Sequence, residues 1–259
     1  MTFFEIYIQA LAVIIIMMTG LWIASIFLKN VSIVDLFWGF GFVLAGWIYF
    51  FYLNGYETRK ILLMILVTIW GLRLSIHLAW RNIGKGEDFR YQQFRKKYGA
   101  GYWWISYFQT FVLQGVLMWV ISAPILGSQY SPYNPSLNIF DILGIIFWSI
   151  GIIFEAGGDY QLKKFKSNPD NRGKVLDTGF WHYTRHPNYF GDASVWWGYG
   201  FLSLASGSYL PIFSSILMTA LIIKVSGVQL LEKSLKDTKP QYQDYIKKTS
   251  PFIPWFPKK

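Results

Sequence analysis

Residues able to do chemistry concentrate in one stretch, FWHYTRHPNYFGD, from Phe180 to Asp192. Pro187 fixes φ and suits the first turn of a helix, so Arg185 and His186 fall just before a helix N-terminus. Such an end presents unpaired N–H groups and a positive field, a natural place for phosphate or carboxylate. Arg185 offers a planar, two-pronged fork, and His186 a donor of adjustable charge. Asn188 and Asp192 are four apart and share a face, where they can donate to and accept from an amide or a ribose. Upstream, KKFKSNPDNRGKVLDTG adds Lys166, Arg172 and Lys174 beside turn-forming Asn-Pro-Asp and Arg-Gly. Together these are the parts of a pocket for a large, anionic, nucleotide-like molecule.

Further ionisable groups lie inside apolar runs, where they are costly and by default mark function. They are Asp35, Arg73, His77, Glu155, Asp159, Asp192 and Lys224. Arg73 and His77 share a helix face, as do Glu155 and Asp159, with Gly157 and Gly158 between them for a close neighbour. Arg73, Glu155 and Asp159 could also pair as structural glue, and His77 could be a satisfied interior histidine. Asp35 could cap its helix, and Lys224 is near enough to the tail to snorkel. Their sum implies a polar cavity. No metal centre is expected: His182 and His186 have HxxxH spacing, but Pro187 disfavours a helical His186. The absence of cysteine removes thiolate ligands, a cysteine nucleophile and a disulfide framework. No GxSxG, Walker or GxGxxG element follows a strand, so a soluble nucleotide fold is not expected.

The elements that must position these groups are helices in lipid. The chain is 53% hydrophobic, 20% aromatic and only 15% charged, too little charge to coat a water-exposed globule. Apolar runs long enough to cross a bilayer are expected at Phe3–Leu28, Ser32–Leu53, Ile61–Trp80, Trp103–Leu126, Ile139–Leu162, Tyr189–Ser206 and Tyr209–Leu231. Pro124, Pro132, Pro135 and Pro211 fall at or between their ends. The segments Arg81–Lys97 and Lys163–Arg185 each carry six basic against two acidic residues, and the tail from Glu232 seven lysines against three acidic residues. The alternate loops, Gly127–Asn138 and Ser203–Ser208, are uncharged. The positive-inside rule then predicts an all-α polytopic membrane protein of about seven transmembrane helices, N-terminus outside and C-terminus cytoplasmic. The net charge of +10 is thus assigned to topology and no nucleic-acid partner is expected. The first run lacks a basic leader region and a cleavage site, and is expected to stay as a span.

Several stretches carry a resemblance: DYQLKKFK, NRGKVLDTGFWHYTRHPNYFGD and EKSLKDTKPQYQDYIKKTSPFIP. They resemble the C-terminal catalytic region of the steroid 5α-reductase superfamily, more closely its bacterial branch, catalogued as a domain of unknown function (DUF1295). SIVDLFWGFGF and WGLRLSIHLAWRNIGKGEDFRYQ resemble that branch too, so the likeness covers nearly the whole chain. It implies a single membrane reductase domain over residues 1–259, with substrate-side helices in 1–126 and a cofactor-binding half in 139–259. It further implies a bacterial inner membrane, with NADPH entering from the cytoplasm. By motif, Asp159, Lys166, Asn188 and Asp192 would touch NADPH, with Tyr183, Arg185, His186 and Tyr189 shaping its pocket and Arg172 beside it. Tyr242 and Tyr245 of the tail would close over it. Many relatives carry Glu where this chain has Asp192.

For such a reductase the substrate would be an enone in a steroid-like or other lipid, and a proton donor must reach its carbonyl oxygen. The Gln–Glu pair that holds the ketone in steroid-specific reductases has no match here. The candidates are Asp35, His77 and Tyr91, the last in GEDFRYQQF, where Glu87, Asp88 and Arg90 could equally form a solvated ion cluster. Two other classes stay open. RHPxY and a Pro-rich tail also resemble S-adenosylmethionine-dependent isoprenylcysteine and phospholipid methyltransferases, although their arginine–diglutamate pattern is replaced here by GVQLLEKSL. The third class is a non-catalytic lipid or sterol binder.

Overall fold

A computed structural model describes residues 2–130, 136–228, 232 and 241–258. Pro132, Pro135, the 229–231 end of the last expected span and Lys233 lie outside the described residues. Every regular element among the described residues is helical.

Among the described residues, four helical stretches are long and apolar enough to cross a membrane: Phe3–Leu28, Glu57–Asn82, Phe89–Tyr130 and Ile139–Ser167. None of the other three expected spans forms so long and apolar a helix within the described residues. Ser32–Leu53 divides into α2 (Ile33–Leu36) and α3 (Trp38–Tyr52), because Phe37 leaves helical geometry between them. Tyr189–Ser206 corresponds to α11 (Pro187–Ala205), a helix rich in Gly, Ser and Trp. Within Tyr209–Leu231 lie α12 (Ile212–Leu221) and a π-helical turn, Ile222–Ser226.

The chain forms two compact units, Met1–Leu137 with Ser206–Tyr209, and Asn138–Ala205 with Leu210–Lys259. In the first, α1 (Phe3–Leu28) opens with a capping box in which Thr2 and Glu5 satisfy each other's backbone N–H. The helix α4 (Glu57–Asn82) packs against α3 so closely that a Cβ at Gly71 would lie 2.6 Å from the Gly39 carbonyl oxygen. Next come α5 (Phe89–Tyr98), α6 (Tyr102–Ser106), a π-helical segment Tyr107–Val112, α7 (Leu113–Ile121) and α8 (Ala123–Tyr130). Tyr7 and Trp119 tie α1 to α7 reciprocally: each side chain donates to the other's carbonyl, at 3.0 and 2.8 Å, and the rings stack.

The second unit is built on α9 (Ile139–Ser167) lying antiparallel to α11. The register is set by glycines seven residues apart, Gly144, Gly151 and Gly158 on α9, facing Gly198, Gly191 and Pro187. A Cβ at Gly151 would lie 2.6 Å from Val195 N and 2.7 Å from the Gly191 oxygen; at Gly144 it would lie 3.0 Å from the Gly198 oxygen. Small residues let two backbones approach where lipid gives no hydrophobic drive for helix association. Asn138 caps α9 in a box with Asp141 and also donates to the Ala205 carbonyl at 3.0 Å, pinning the start of α9 to the end of α11. At the opposite end lie α10 (Phe180–Tyr183) and, from the tail, α13 (Tyr242–Lys248).

Candidate functional site

The glycine seam brings the end of α9 against the start of α11, and this decides what surrounds RHPNY. A Cβ at Gly158 would lie 3.1 Å from Pro187 Cγ and 3.2 Å from Asn188 N. At that approach Asn188 Nδ2 donates to Asp159 Oδ1 at 3.1 Å, joining two of the expected cofactor residues. Asp192, one turn further along α11, is half-buried. His186 is buried at 1% exposure; its ring stacks on Tyr189, and its Nδ1 has no hydrogen-bond partner among the described residues.

Lys166 and Arg172 line a cavity of about 410 Å³ with Leu162, Phe165, Asn168 and Asn171. Asn168 shapes its rim, accepting from Asp170 N at 3.0 Å, while Asn171 donates back to the Phe165 carbonyl. Both basic side chains are exposed there. A cavity with two cations and an amide-rich rim suits an anionic group.

Arg185 has a different place from the one its type suggested. It is 6% exposed, and its fork is held by Glu232 at 2.7 and 2.8 Å and by the carbonyls of Ile246 and Thr249. Its backbone N–H donates to Ser250. Neighbouring residues repeat the pattern: Thr184 Oγ1 donates to Phe252 O at 2.8 Å, Trp255 N donates to Tyr183 O, and Tyr245 OH donates to Trp181 O. The 181–186 segment is thus laced to the tail, and Tyr242 and Tyr245, both buried, pack edge to face there. Burial raises the Glu232 carboxyl, but the hydrogen bonds from His186 and Arg185, with the Arg185 charge, outweigh it and hold the group below its ordinary range. Burial, with the Glu232 charge adding, pushes the Tyr242 hydroxyl up to about 12.

In the first unit, two of the three donor candidates meet. Tyr91 OH donates to Asp35 Oδ1 at 2.7 Å, and Arg90 donates to Asp35 Oδ2 at 2.9 Å and to Asp88 at 2.9 Å. Gln114, which the sequence did not single out, donates to the Tyr91 hydroxyl at 3.2 Å. Asp88 N donates to Ser32 Oγ, and Glu87 takes both Arg95 and Val31 N, so the GEDFRYQ loop is an organised cluster. Burial raises Glu87, but its Arg95 and Val31 hydrogen bonds and the Arg95 charge bring it below the usual carboxylate range. His77 is half-buried on α4. Among the described residues there is no cluster of three or more His, Asp or Glu that could hold a metal ion. Glu232 and Thr184 were also missed as organising groups: each bonds across more than forty residues, and no local pattern announces that.

These features define an all-helical protein with several helices of membrane-crossing length and a polar cluster at a buried helix N-terminus. The chain belongs to the family described as "Protein of unknown function (DUF1295)", whose model matches residues 21–249. It is similar to an uncharacterized protein of Schizosaccharomyces pombe, 24% identical over 264 aligned positions, covering 90% of this chain and 75% of that protein. It is also similar to Delta(14)-sterol reductase erg24 of the same yeast, 29% identical over 138 residues, 48% of this chain and 30% of the reductase. A third relative is the probable O-methyltransferase ustE of Ustilaginoidea virens, 32% identical over 94 residues, 36% of this chain and 32% of that protein. The match spans about a third of the length of the reductase and of the methyltransferase. No solved structure matches the chain significantly.

Proposed function

We propose that this protein is an NADPH-dependent membrane reductase that saturates an activated C=C bond, an enone, in a steroid-like or other lipid dissolved in the bilayer. The observation that carries the reading is the Asn188–Asp159 hydrogen bond beside the first turn of α11, on a helix that also bears Lys166. Asp159 and Lys166 are seven residues apart, so they share a face about 10 Å apart along the axis. That spacing suits a dinucleotide, whose ribose or amide groups and phosphates need separate partners. The partial likeness to a sterol reductase supports the same class.

In this reading Asp159, Asn188 and Asp192 hold the amide or ribose groups, and Lys166 and Arg172 the phosphates. His186, whose buried Nδ1 has no partner among the described residues, and Tyr183 and Tyr189 complete the pocket wall. Arg185, Tyr242 and Tyr245 act by fixing the tail. NADPH, when bound, supplies hydride to the β-carbon of the enone. Tyr91 is the proton donor we assign to the carbonyl oxygen: rotation about its C–O bond exchanges Asp35 for the carbonyl as acceptor. Asp35, its charge offset by Arg90, holds the hydroxyl in the resting state, and Gln114, which donates to the Tyr91 oxygen, steadies the phenolate left when the proton is given up. Seven crossings with a cytoplasmic C-terminus belong to the same proposal, since they turn the basic loops towards the compartment that holds the cofactor.

Methyl transfer from S-adenosylmethionine is the second reading, favoured by the likeness to the probable O-methyltransferase. Thermal shift of the detergent-purified protein with NADPH, NADH and S-adenosylmethionine in parallel separates the two. Preferential stabilisation by NADPH, lost in Asn188→Ala, is the expected result. Stabilisation by S-adenosylmethionine alone would make methyl transfer the working reading, and no response to any of the three would point to a non-catalytic lipid binder.

A further inference from the structure

The tail segment after α13 combines three features. It is irregular and bounded by Pro251, Pro254 and Pro257. It exposes large apolar side chains in close succession: Ile253 at 65%, Trp255 at 70% and Phe256 at 75%. It is nonetheless tethered at every turn, through Thr184 to the Phe252 carbonyl, Tyr183 O to Trp255 N, and Lys258 N to Lys248 O. Isolated exposed apolar residues are ordinary, but a rigidly held group of them marks a surface meant to be covered.

The tethers also fix its height along the second unit. Trp181 Nε1 donates to the Gly158 carbonyl at 3.1 Å, and Phe180 N donates to Gln161 Oε1 at 3.0 Å, so α10 lies level with residues 158–161 of α9. Trp255 is bonded to Tyr183 of that same α10, and the Phe256 ring meets the Tyr183 ring edge to face at 6.0 Å. On α9 the exposed apolar side chains run through Ile142, Ile146, Ile150 and Ile153 and end at Tyr160; Lys163 and Lys164 follow, both exposed. The tail group therefore stands where the apolar belt of α9 gives way to lysines. Trp beside Lys at that level is the composition of a lipid–water interface. The exposed Lys247, Lys248 and Lys258 adjoin the same group, which adds complementarity to anionic headgroups.

We propose that the segment Pro251–Lys258 is a membrane-docking surface: Ile253, Trp255 and Phe256 insert into the bilayer interface, and Lys248 and Lys258 engage anionic phospholipid headgroups. The insertion is shallow, about 5–10 Å into the headgroup–acyl boundary. The segment is also the one laced to residues 181–186, so its seat on the bilayer and the geometry of the RHPNY segment are mechanically joined.

The chain has no cysteine, so single labels can be placed without background. Trp255→Cys and Phe256→Cys, each carrying a nitroxide, are measured in the full-length protein in nanodiscs of phosphatidylcholine with and without phosphatidylglycerol. Ile153→Cys serves as the apolar-belt reference and Gln243→Cys as the exposed tail reference. The expected result is severalfold greater accessibility to oxygen than to a water-soluble nickel chelate, relative to Gln243→Cys. That ratio should rise with phosphatidylglycerol, and the rise should vanish in Lys248→Glu/Lys258→Glu. Labels as open to the nickel chelate as Gln243→Cys would overturn the proposal. So would labels shielded from both reagents, which would mean a protein surface, such as a second copy of this chain, covers the segment. A ratio indifferent to phosphatidylglycerol would refute the headgroup contact.

Discussion

Arg185 Nη2 meets the Glu232 carboxylate at 2.7 Å, and the same carboxylate oxygen lies 3.3 Å from His186 Nε2. One glutamate thus serves two consecutive residues of the RHPNY segment, while Arg185 Nη1 donates to the carbonyls of Ile246 and Thr249. A side chain whose type suggests phosphate binding is committed to holding the tail.

Glu232→Gln should therefore leave a largely buried guanidinium uncompensated. Breaking a fully buried pair costs roughly 3–5 kcal/mol; here the cost should be smaller, because Glu232 keeps 15% exposure. The expected outcome is a lower unfolding temperature in detergent and faster proteolysis between Gln241 and Lys258. Arg185→Lys keeps the charge but not the fork, and should lie between wild type and Glu232→Gln.

Acidification tests the same contact. Glu232 titrates below its ordinary value of 4.5 when folded. Its contribution is then fully present above that value and is lost as pH falls through the lowered folded value. Wild-type stability should drop on going below pH 4.5 by more than that of Glu232→Gln, and thermal shift along a pH series measures the difference. Equal slopes would show that the carboxylate carries no linkage.

Tyr91→Phe removes the hydroxyl that stands between Asp35 and Gln114. Loss of a general acid typically costs 10²–10⁴-fold in rate. Enone-dependent NADPH oxidation should fall by about that factor, with the NADPH-induced thermal shift unchanged because Tyr91 is assigned to the substrate carbonyl and not to the cofactor. A lost thermal shift would instead mark Tyr91 as structural.

The glycine seam gives a prediction about packing. Gly151→Ala places a methyl within 2.6–2.7 Å of Val195 N and the Gly191 oxygen, both backbone atoms that cannot swing aside. Overpacking of this kind costs about 1–3 kcal/mol. Gly20→Ala on α1, where a Cβ would meet no described neighbour outside its own helix turn within 4 Å, should be neutral in the same unfolding assay.

Much of this was legible along the chain. Apolar run length fixed the helical class, because a backbone in lipid must satisfy its own hydrogen bonds. The ends of the long helices were close as well: Phe3–Leu28 appears as the hydropathy drew it, and α11 begins at Pro187, as a proline at the first helical position requires. Gly157 and Gly158 signalled close neighbours, which are the Phe180 ring and the Pro187–Asn188 turn, but the pairing of Asp159 with Asn188 itself was not legible. Less was legible where apolarity and helix length part company: Ser32–Leu53 reads as one greasy run, yet Phe37 breaks it, since hydropathy does not report a local turn.

What the sequence by itself determined is local: which segments are helical, where they start, and which residue types gather at RHPNY. Only the tertiary structure decided partners. Arg185 could face a phosphate or a carboxylate, and nothing within the segment distinguishes the two. Glu232, more than forty residues away, settles it by being brought within 2.7 Å. Asp35 and Tyr91 likewise became a pair only through packing across fifty-six positions of chain. Side-chain chemistry and helix periodicity are properties of neighbours in sequence, whereas an ion pair depends on which helices the glycine seams and reciprocal hydrogen bonds allow to touch.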